Sequence, residues 1–212
     1  MAPVIHFTSI KYPETDGKPL GETDQHIDET IRLRQLLKRF YAGQRVYVSG
    51  NLLVFYQQGD PKKFVVPDVL VAKGLEPVDR RFYKLWVEHK PPDVILEVTS
   101  AKTKKKDTVT KPELYRQMRV PEYFLFDPTQ DYLDPPLQGY RLAGDRHERL
   151  DPDPEGSLVS EQLGLRLCPV GGHLMLYRQD TGERLLTDAE AWLAAEAEVA
   201  RLREELRRRG GA

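Results

Sequence analysis

The feature that most constrains this chain is a strand–helix–strand pattern between residues 93 and 127. The run Val94-Ile-Leu-Glu-Val98 is apolar at four of its five positions, which indicates a buried strand. Thr110-Lys-Pro-Glu113 has the composition of a helix start with a capping box. Tyr123-Phe-Leu-Phe126 is a second apolar strand, ended by an Asp-Pro pair. The pattern predicts two parallel strands joined by a crossover helix in an α/β fold.

The residues before this unit predict one helix and three strands. Thr23 or Asp24 can cap a helix that runs to about Phe40. Its apolar side chains recur at helical spacing, at Ile27, Ile31, Leu36, Leu37 and Phe40. Strand patterns at 45–49 and 52–56 flank Gly50-Asn51 and predict a β-hairpin. A third strand is predicted for 64–71, where Pro67 indicates an edge position or a bulge.

The length of 212 residues fits one domain with appendages, or a domain with a small subdomain. Residues 1–22 are rich in Pro, Gly and Thr and predict an irregular lead-in. Residues 23–186 form the predicted domain, with later strands on either side of Gly144-Asp145 and at 174–177, and a loop at 151–157. Residues 187–212 form a C-terminal helix.

Composition restricts the compartment and the partners. The net charge of -1 gives no global attraction to nucleic acid, so any such attraction is local. The single cysteine, Cys168, excludes an internal disulfide framework and is expected to be a small core residue in a reducing compartment. No signal peptide precedes the domain and no apolar run is long enough to span a membrane. We therefore expect a cytoplasmic protein without membrane partners.

The C-terminal helix carries a weak heptad pattern. Trp192, Val199 and Leu206 share one heptad position, and Ala195 and Leu202 share the other. The pattern is compatible with packing on the helix's own domain or with a homodimer formed through this helix.

Two acidic residues on apolar strands carry the strongest chemical signal. Glu97 interrupts the 94–98 run, and a buried carboxylate requires a cation, a metal or several hydrogen bonds. The alternative is a structural ion pair with a lysine from 102–111. Asp68 follows Pro67 and lies 29 residues before Glu97 in the chain. The two acids together are a stronger signal of a site than Asp68 alone. Asp93 lies four residues before Glu97, about 13 Å along a strand, and cannot share its ion.

Lysines follow the second acid directly. Lys102, Lys104, Lys105 and Lys106 are either a solvated loop or phosphate contacts. Lys111 and Tyr115 are four residues apart on the predicted helix and therefore share a face. Thr99 occupies the position at which a sequential acid-x-Lys motif would place its lysine. The five histidines show no ligand spacing, and no nucleophile elbow, Walker A loop or dinucleotide fingerprint is present.

The order and spacing of these residues resemble the bacterial Uma2 family of endonucleases in the PD-(D/E)XK superfamily. The matching residues are Pro67-Asp68, Glu97-Val-x-Ser100, Asp107, Lys111, Tyr115 and 120–128. The resemblance implies a restriction-endonuclease-like α/β fold, with a mixed central sheet flanked by helices and a C-terminal helical extension. It also implies Mg²⁺ (or Mn²⁺) bound by Asp68 and Glu97, with Lys111 at the position of the lysine expected at 99. Lys104, Lys105 and Lys106 are alternatives for that lysine.

The resulting hypothesis is Mg²⁺-dependent hydrolysis of phosphodiester bonds in DNA. Asp68, Glu97 and Lys111 are the expected catalytic residues, supported by Ser100, Asp107 and Tyr115. Glu29, on the first helix, is a more distant candidate for a supporting acid. The alternative is a catalytically silent nucleic-acid-binding or assembly protein on the same fold, which Thr99 favours. A structural dimer built on the C-terminal helix is a further alternative.

Overall fold

The computed structural model describes residues 10–15, 23–99, 106–131 and 133–210. Its elements in chain order are α1 (Asp24–Phe40), β1 (Val46–Ser49), β2 (Val54–Phe55), β3 (Phe64–Val65), β4 (Val69–Lys73), β5 (Tyr83–Lys84), α2 (Leu85–Glu88), β6 (Val94–Val98), a π-helical turn (Lys106–Thr110), α3 (Lys111–Gln117), β7 (Glu122–Phe126), β8 (Leu137–Ala143), β9 (Arg146–Arg149), β10 (Leu158–Ser160), β11 (Leu165–Val170), β12 (His173–Arg178) and α4 (Asp188–Gly210).

The central sheet is mixed and has six strands in the order β1-β4-β6-β7-β8-β9. Strands β6 and β7 are parallel and are connected through α3, which confirms the predicted crossover. All other pairs in this sheet are antiparallel. Two further sheets have three strands each, in the orders β10-β11-β12 and β3-β2-β5.

The pleat of the central strands sends alternate side chains into two cores. Val94, Leu96 and Val98 of β6 face one core, which also contains Leu33 and Leu37 of α1 and apolar residues of the β10–β12 sheet. Ile95 faces the other core, with Tyr115 of α3 and residues of the β3-β2-β5 sheet. Because side chains alternate along a strand, Glu97 points to the side on which α3 lies.

The predicted hairpin around Gly50-Asn51 is wrong. β1 pairs with β4 of the central sheet, whereas β2 pairs with β3 and β5 of a separate sheet. The turn at Gly50-Asn51 instead packs against the segment before β4. There the Asn51 N–H lies 3.1 and 3.2 Å from the carbonyl oxygens of Pro67 and Asp68. The predicted strand 64–71 is likewise divided at Pro67 between two sheets, because proline donates no ladder hydrogen bond.

Helix α1 begins after Thr23, whose hydroxyl accepts a hydrogen bond from the His26 N–H. The predicted apolar face is correct for Leu36 and Leu37, but Ile27 and Ile31 are exposed. The N-terminal half of the helix instead buries polar side chains, at His26, Glu29 and Thr30.

The capping box predicted at Thr110 is wrong. A π-helical turn runs directly into α3, so Thr110 has helical dihedral angles and its side chain makes no capping hydrogen bond. The carboxylate of Glu113 binds Arg116 instead.

The later local predictions agree with the structure, whereas most of the irregular lead-in predicted for residues 1–22 lies outside the described residues. β8 and β9 form an antiparallel pair around Gly144-Asp145, β12 contains residues 174–177, and α4 begins at Asp188. Cys168 is buried and makes no disulfide. Within the described ranges, we find no helix whose length and apolar character would let it cross a membrane.

Candidate nuclease site

The two acids predicted from sequence lie on neighbouring strands. In the antiparallel pairing of β4 and β6, Val69 is opposite Leu96, so the next position outward places Asp68 beside Glu97. The Asp68 N–H lies 3.4 Å from Oε2 of Glu97, and the Val98 N–H donates to Oδ2 of Asp68 at 2.9 Å. The backbone of each strand therefore holds the carboxylate of the other.

Helix α3 brings a cation and a hydroxyl to Glu97. The Lys111 ammonium donates to Oε2 at 2.6 Å, and the Tyr115 hydroxyl donates to Oε1. Their spacing of four residues places both on one face of the helix, as predicted. The Glu97 side chain is fully withdrawn from solvent and the Lys111 side chain is 7% exposed. The buried carboxylate thus has both a charge partner and hydrogen bonds, which its desolvation requires.

Helix α1 supplies a residue that the sequence analysis did not select. His26 is buried, and its Nε2 lies 3.3 Å from Oδ2 of Asp68. The available signal was the position of His26, which shares the buried face of the helix with Thr30, Leu33 and Leu37. A polar residue on a buried face needs a polar partner. The five histidines show no metal-ligand spacing in the sequence, so His26 is not among the predicted site residues.

The surroundings of the Asp68 carboxyl favour its ionised form. Burial alone would raise its pKa, but the hydrogen bond from His26 and the charge of Lys111 outweigh burial and lower the pKa below the ordinary value. Its side chain is 12% exposed, so it forms the open side of the acidic pair.

The turn at Gly50 lies against the first acid. A Cβ at Gly50 would lie 2.6 Å from the carbonyl oxygen of Asp68, closer than real side chains approach a backbone atom. Glycine is therefore needed for the turn to reach the 67–68 segment. This contact continues the pairing of β1 with β4, which local sequence patterns do not indicate.

Several other predicted residues lie apart from this cluster. Asp93 accepts hydrogen bonds from the Lys73 N–H and the Lys90 ammonium. Glu29 binds Arg32 and His173 rather than either acid. The Thr99 N–H and hydroxyl both donate to the carbonyl oxygen of Phe126, which extends the pairing of β6 with β7.

The remaining predicted residues cannot be compared with the structure. Ser100, Lys102, Lys104 and Lys105 lie outside the described residues. Lys106 and Asp107 are in the π-helical turn, and only their backbone is described.

The donor set fits a small divalent cation. Asp68 and Glu97 provide hard carboxylate oxygens, and among the described residues Lys111 is the one lysine in contact with this pair. Within those residues, Glu97 is paired with Lys111 and Asp68 with His26. Among all the residues that the structure describes, no group of three or more His, Cys, Asp or Glu residues is arranged to hold a metal. A two-carboxylate site suits Mg²⁺, which keeps several waters of its own.

The fold is that of a nuclease-like protein. The model of the Uma2 family, described as "Putative restriction endonuclease", matches residues 15–190, and the chain belongs to this family. Its fold is similar to that of a solved protein from Anabaena variabilis ATCC 29413, described as "a putative nuclease belonging to DUF820". That similarity has a TM-score of 0.50 at 14% identity and covers 73% of this chain and 86% of the other. None of the curated proteins compared with this chain matches it.

Proposed function

We propose that this protein is an endonuclease that hydrolyses phosphodiester bonds in DNA with Mg²⁺ or Mn²⁺. The observation that carries the proposal is that Asp68, next to β4, and Lys111, at the start of α3, both contact Glu97 of β6. Family membership supports the reaction class, since the family is described as an endonuclease family.

Each residue has a role that follows from its contacts. Asp68 and Glu97 would hold the cation, which when bound polarises a phosphoryl oxygen and lowers the pKa of the attacking water. The Lys111 ammonium stabilises negative charge that develops on the phosphate and orients the attacking water. Tyr115 fixes the Glu97 carboxylate through its hydroxyl. His26 orients Asp68 from the opposite side of the sheet.

The cleavage assay uses supercoiled plasmid and linear single- and double-stranded DNA, with RNA as a comparison, at low salt. We expect nicking or cutting with Mg²⁺ or Mn²⁺, and loss of activity in Asp68→Asn and Glu97→Gln. The matched control is Glu113→Gln, because Glu113 is on the same helix as Lys111 but binds Arg116 on the surface. Cleavage that survives both acid substitutions contradicts the proposed site.

One observation favours the catalytically silent alternative. Both oxygens of Glu97 already accept hydrogen bonds, from Lys111 and Tyr115, so a cation must compete with these donors. A silent protein would show no cleavage and no change in thermal stability with Mg²⁺ or Mn²⁺. A cation that binds only the native state must raise that stability.

The C-terminal helix supports a homodimer as part of this proposal. Trp192, Val199 and Leu206 are 61%, 46% and 69% exposed, which is unusual for large apolar side chains that recur on one helix face. In a parallel pair of helices, Glu198 of one copy would approach Arg203 of the other. We expect a native mass of two chains that falls to one in Val199→Glu but not in Ala197→Glu, on the opposite face. A monomeric native chain contradicts the dimer.

A further inference from the structure

The small β3-β2-β5 sheet has an aromatic outer face. Val65, Val54 and Tyr83 are paired across it and face the core that contains Tyr115. The next row along the strands is Phe64, Phe55 and Lys84, which therefore faces away from that core. Outward faces of such sheets normally carry polar side chains, so this row calls for an explanation.

Further aromatic side chains surround this row. Phe55 is fully buried beneath Tyr12, Phe64 and Phe82, whose ring centroids lie 5.0, 5.7 and 5.9 Å from its own. The Trp86 ring lies 5.5 Å from Tyr12. We call the half-buried outer residues of this cluster the aromatic face: Tyr12, Phe64, Phe82, Lys84 and Trp86.

The charge around the aromatic face is positive. Lys11, Lys62 and Lys63 are exposed beside it, and within the described ranges neither they nor Lys84 form an ion pair with a carboxylate. Of the neighbouring acids, Glu14 is paired with Arg81, and Asp60 accepts a hydrogen bond from the Lys62 N–H. The cations are therefore available to phosphate groups.

The aromatic face is close to the candidate nuclease site. Phe64 precedes Asp68 by four residues, so at most about 14 Å of extended chain separates their backbones. A nucleic-acid strand that runs from the aromatic face to Asp68 would contact both. Aromatic side chains on a sheet, with lysines around them, are how proteins bind unpaired bases and their phosphates.

We propose that the aromatic face binds a single-stranded segment of DNA next to the scissile phosphate. This inference rests on the proposed function and specifies the form of its substrate. Bases of an intact duplex are stacked on one another and cannot offer their faces to Phe82 or Trp86, whereas unpaired bases can.

Lys84 currently lies over the rings that a base would use. Its ammonium is 3.9 Å from the Tyr12 ring centroid and 4.4 Å from that of Phe82. A cation–π contact stabilises by about 0.5–1 kcal/mol at an exposed site and by about 2 kcal/mol when desolvated, and stacking of one base contributes about 1–3 kcal/mol. The two contacts are therefore similar in strength, and we expect a bound base to replace the ammonium because a phosphate of the same strand then receives its charge.

The chain offers a selective reporter for this event. Its two tryptophans are Trp86 and Trp192, so full-length Trp192→Phe retains fluorescence from Trp86 alone. The measurement is made in EDTA at low salt, so that binding is read without cleavage. We expect a single-stranded oligonucleotide to quench Trp86 emission and a duplex of the same sequence to quench it far less. Absence of quenching by the single strand, or equal quenching by the duplex, overturns the inference.

Variants then test the named residues by fluorescence anisotropy of a labelled oligonucleotide. Phe82→Leu is expected to weaken single-strand binding by about 5- to 150-fold, the range that corresponds to one stacked base. Lys84→Met should weaken it and reduce its salt dependence. Val87→Ala is the control, because Val87 is exposed beside Trp86 but is not aromatic. Thermal unfolding confirms that each variant is folded.

The result for single-strand binding can be told apart from the result of the cleavage assay. Cleavage of plasmid without any response from Trp86 contradicts the single-strand inference and leaves the endonuclease intact. Quenching of Trp86 without cleavage supports the aromatic face and favours the catalytically silent alternative. Unlabelled single-stranded RNA, added as a competitor, determines whether the face selects DNA.

Discussion

The Lys111 ammonium and the Glu97 carboxylate form a buried ion pair, with Nζ 2.6 Å from Oε2. Removal of one partner from such a pair leaves an uncompensated charge and costs about 3–5 kcal/mol of stability. The same ammonium occupies the oxygen that a divalent cation would use. Stability and metal binding are therefore coupled at this pair.

We predict that Lys111→Met destabilises the chain in the absence of metal and that Mn²⁺ restores part of the loss. A divalent cation can replace the missing positive charge between Glu97 and Asp68, so the variant should gain more stability from Mn²⁺ than the native chain does. Chemical unfolding with EDTA and with Mn²⁺ measures both effects.

Two further variants serve as controls for this prediction. Glu97→Gln should abolish the Mn²⁺ effect, and Lys111→Met combined with Glu97→Gln should be less unstable than the sum of the single changes. Equal Mn²⁺ stabilisation of the native chain and Lys111→Met would show that the ammonium and the cation do not compete.

Gly50→Ala should disturb the first acid through the backbone. The new Cβ would lie 2.6 Å from the carbonyl oxygen of Asp68, so the turn or the 67–68 segment must shift. We expect a loss of about 1–3 kcal/mol, as for other overpacked positions, together with weaker stabilisation by Mn²⁺.

Gly139→Ala is the matched control for Gly50→Ala. Its Cβ would lie 2.7 Å from the Phe124 ring, so it is also overpacked, but it lies on β8 away from the acids. It should lower stability without changing the Mn²⁺ response. If both variants lose that response equally, the effect of Gly50 is one of general stability.

The crossover unit could be predicted because its signals are local. Val94–Val98 and Glu122–Phe126 are continuous buried strands, and the helix between them starts at a Thr-Lys-Pro sequence. A right-handed crossover then leaves one arrangement for parallel neighbours. The acid pair was also predictable, since each carboxylate is the polar residue of an apolar segment.

The pairing around Gly50-Asn51 could not be predicted in the same way. A turn signal predicts that the chain reverses direction, but it does not predict which strands pair after the turn. Here β1 pairs with β4, more than 20 residues later in the chain, and β2 leaves the central sheet. Such a choice depends on burial of both faces of β4, which is a property of the assembled core.

His26 shows a related limit. Its contact with Asp68 joins residues 42 positions apart, which no local pattern indicates. Only the assembled structure shows that the N-terminal half of α1 buries polar groups. His26 therefore joins α1 to the candidate site, and Glu29 joins the same helix to β12.

Glu29 makes stability depend on pH. Burial alone would raise its pKa, but hydrogen bonds from Arg32, His173 and the Leu174 N–H together lower it from 4.5. Because the folded pKa is the lower one, this contribution is present above about pH 4.5 and is lost as the pH falls through the folded value.

Glu29→Gln should therefore reduce stability at pH 7 by about 1.5–3 kcal/mol, the value of hydrogen bonds to a charged group. The difference from the native chain should shrink as the pH is lowered below 4.5. Urea unfolding at several pH values measures this. Glu148→Gln, an exposed acid on β9, should show no such convergence, and a constant difference for Glu29→Gln would refute the ionic account.

His26 is expected to act as a positioning residue for Asp68. The Asp68 carboxylate has the Val98 N–H as a second donor, so loss of His26 removes one of two constraints. One hydrogen bond is worth about 0.5–1.5 kcal/mol, so His26→Phe should lower kcat by about 2- to 10-fold. His26→Gln, whose amide can donate from a similar position, should recover most of the rate. A misplaced Asp68 affects the reacting centre rather than remote DNA contacts, so KM should change little. Equal loss in Phe and Gln variants, or a change confined to KM, would show that His26 only fills space between α1 and the sheet.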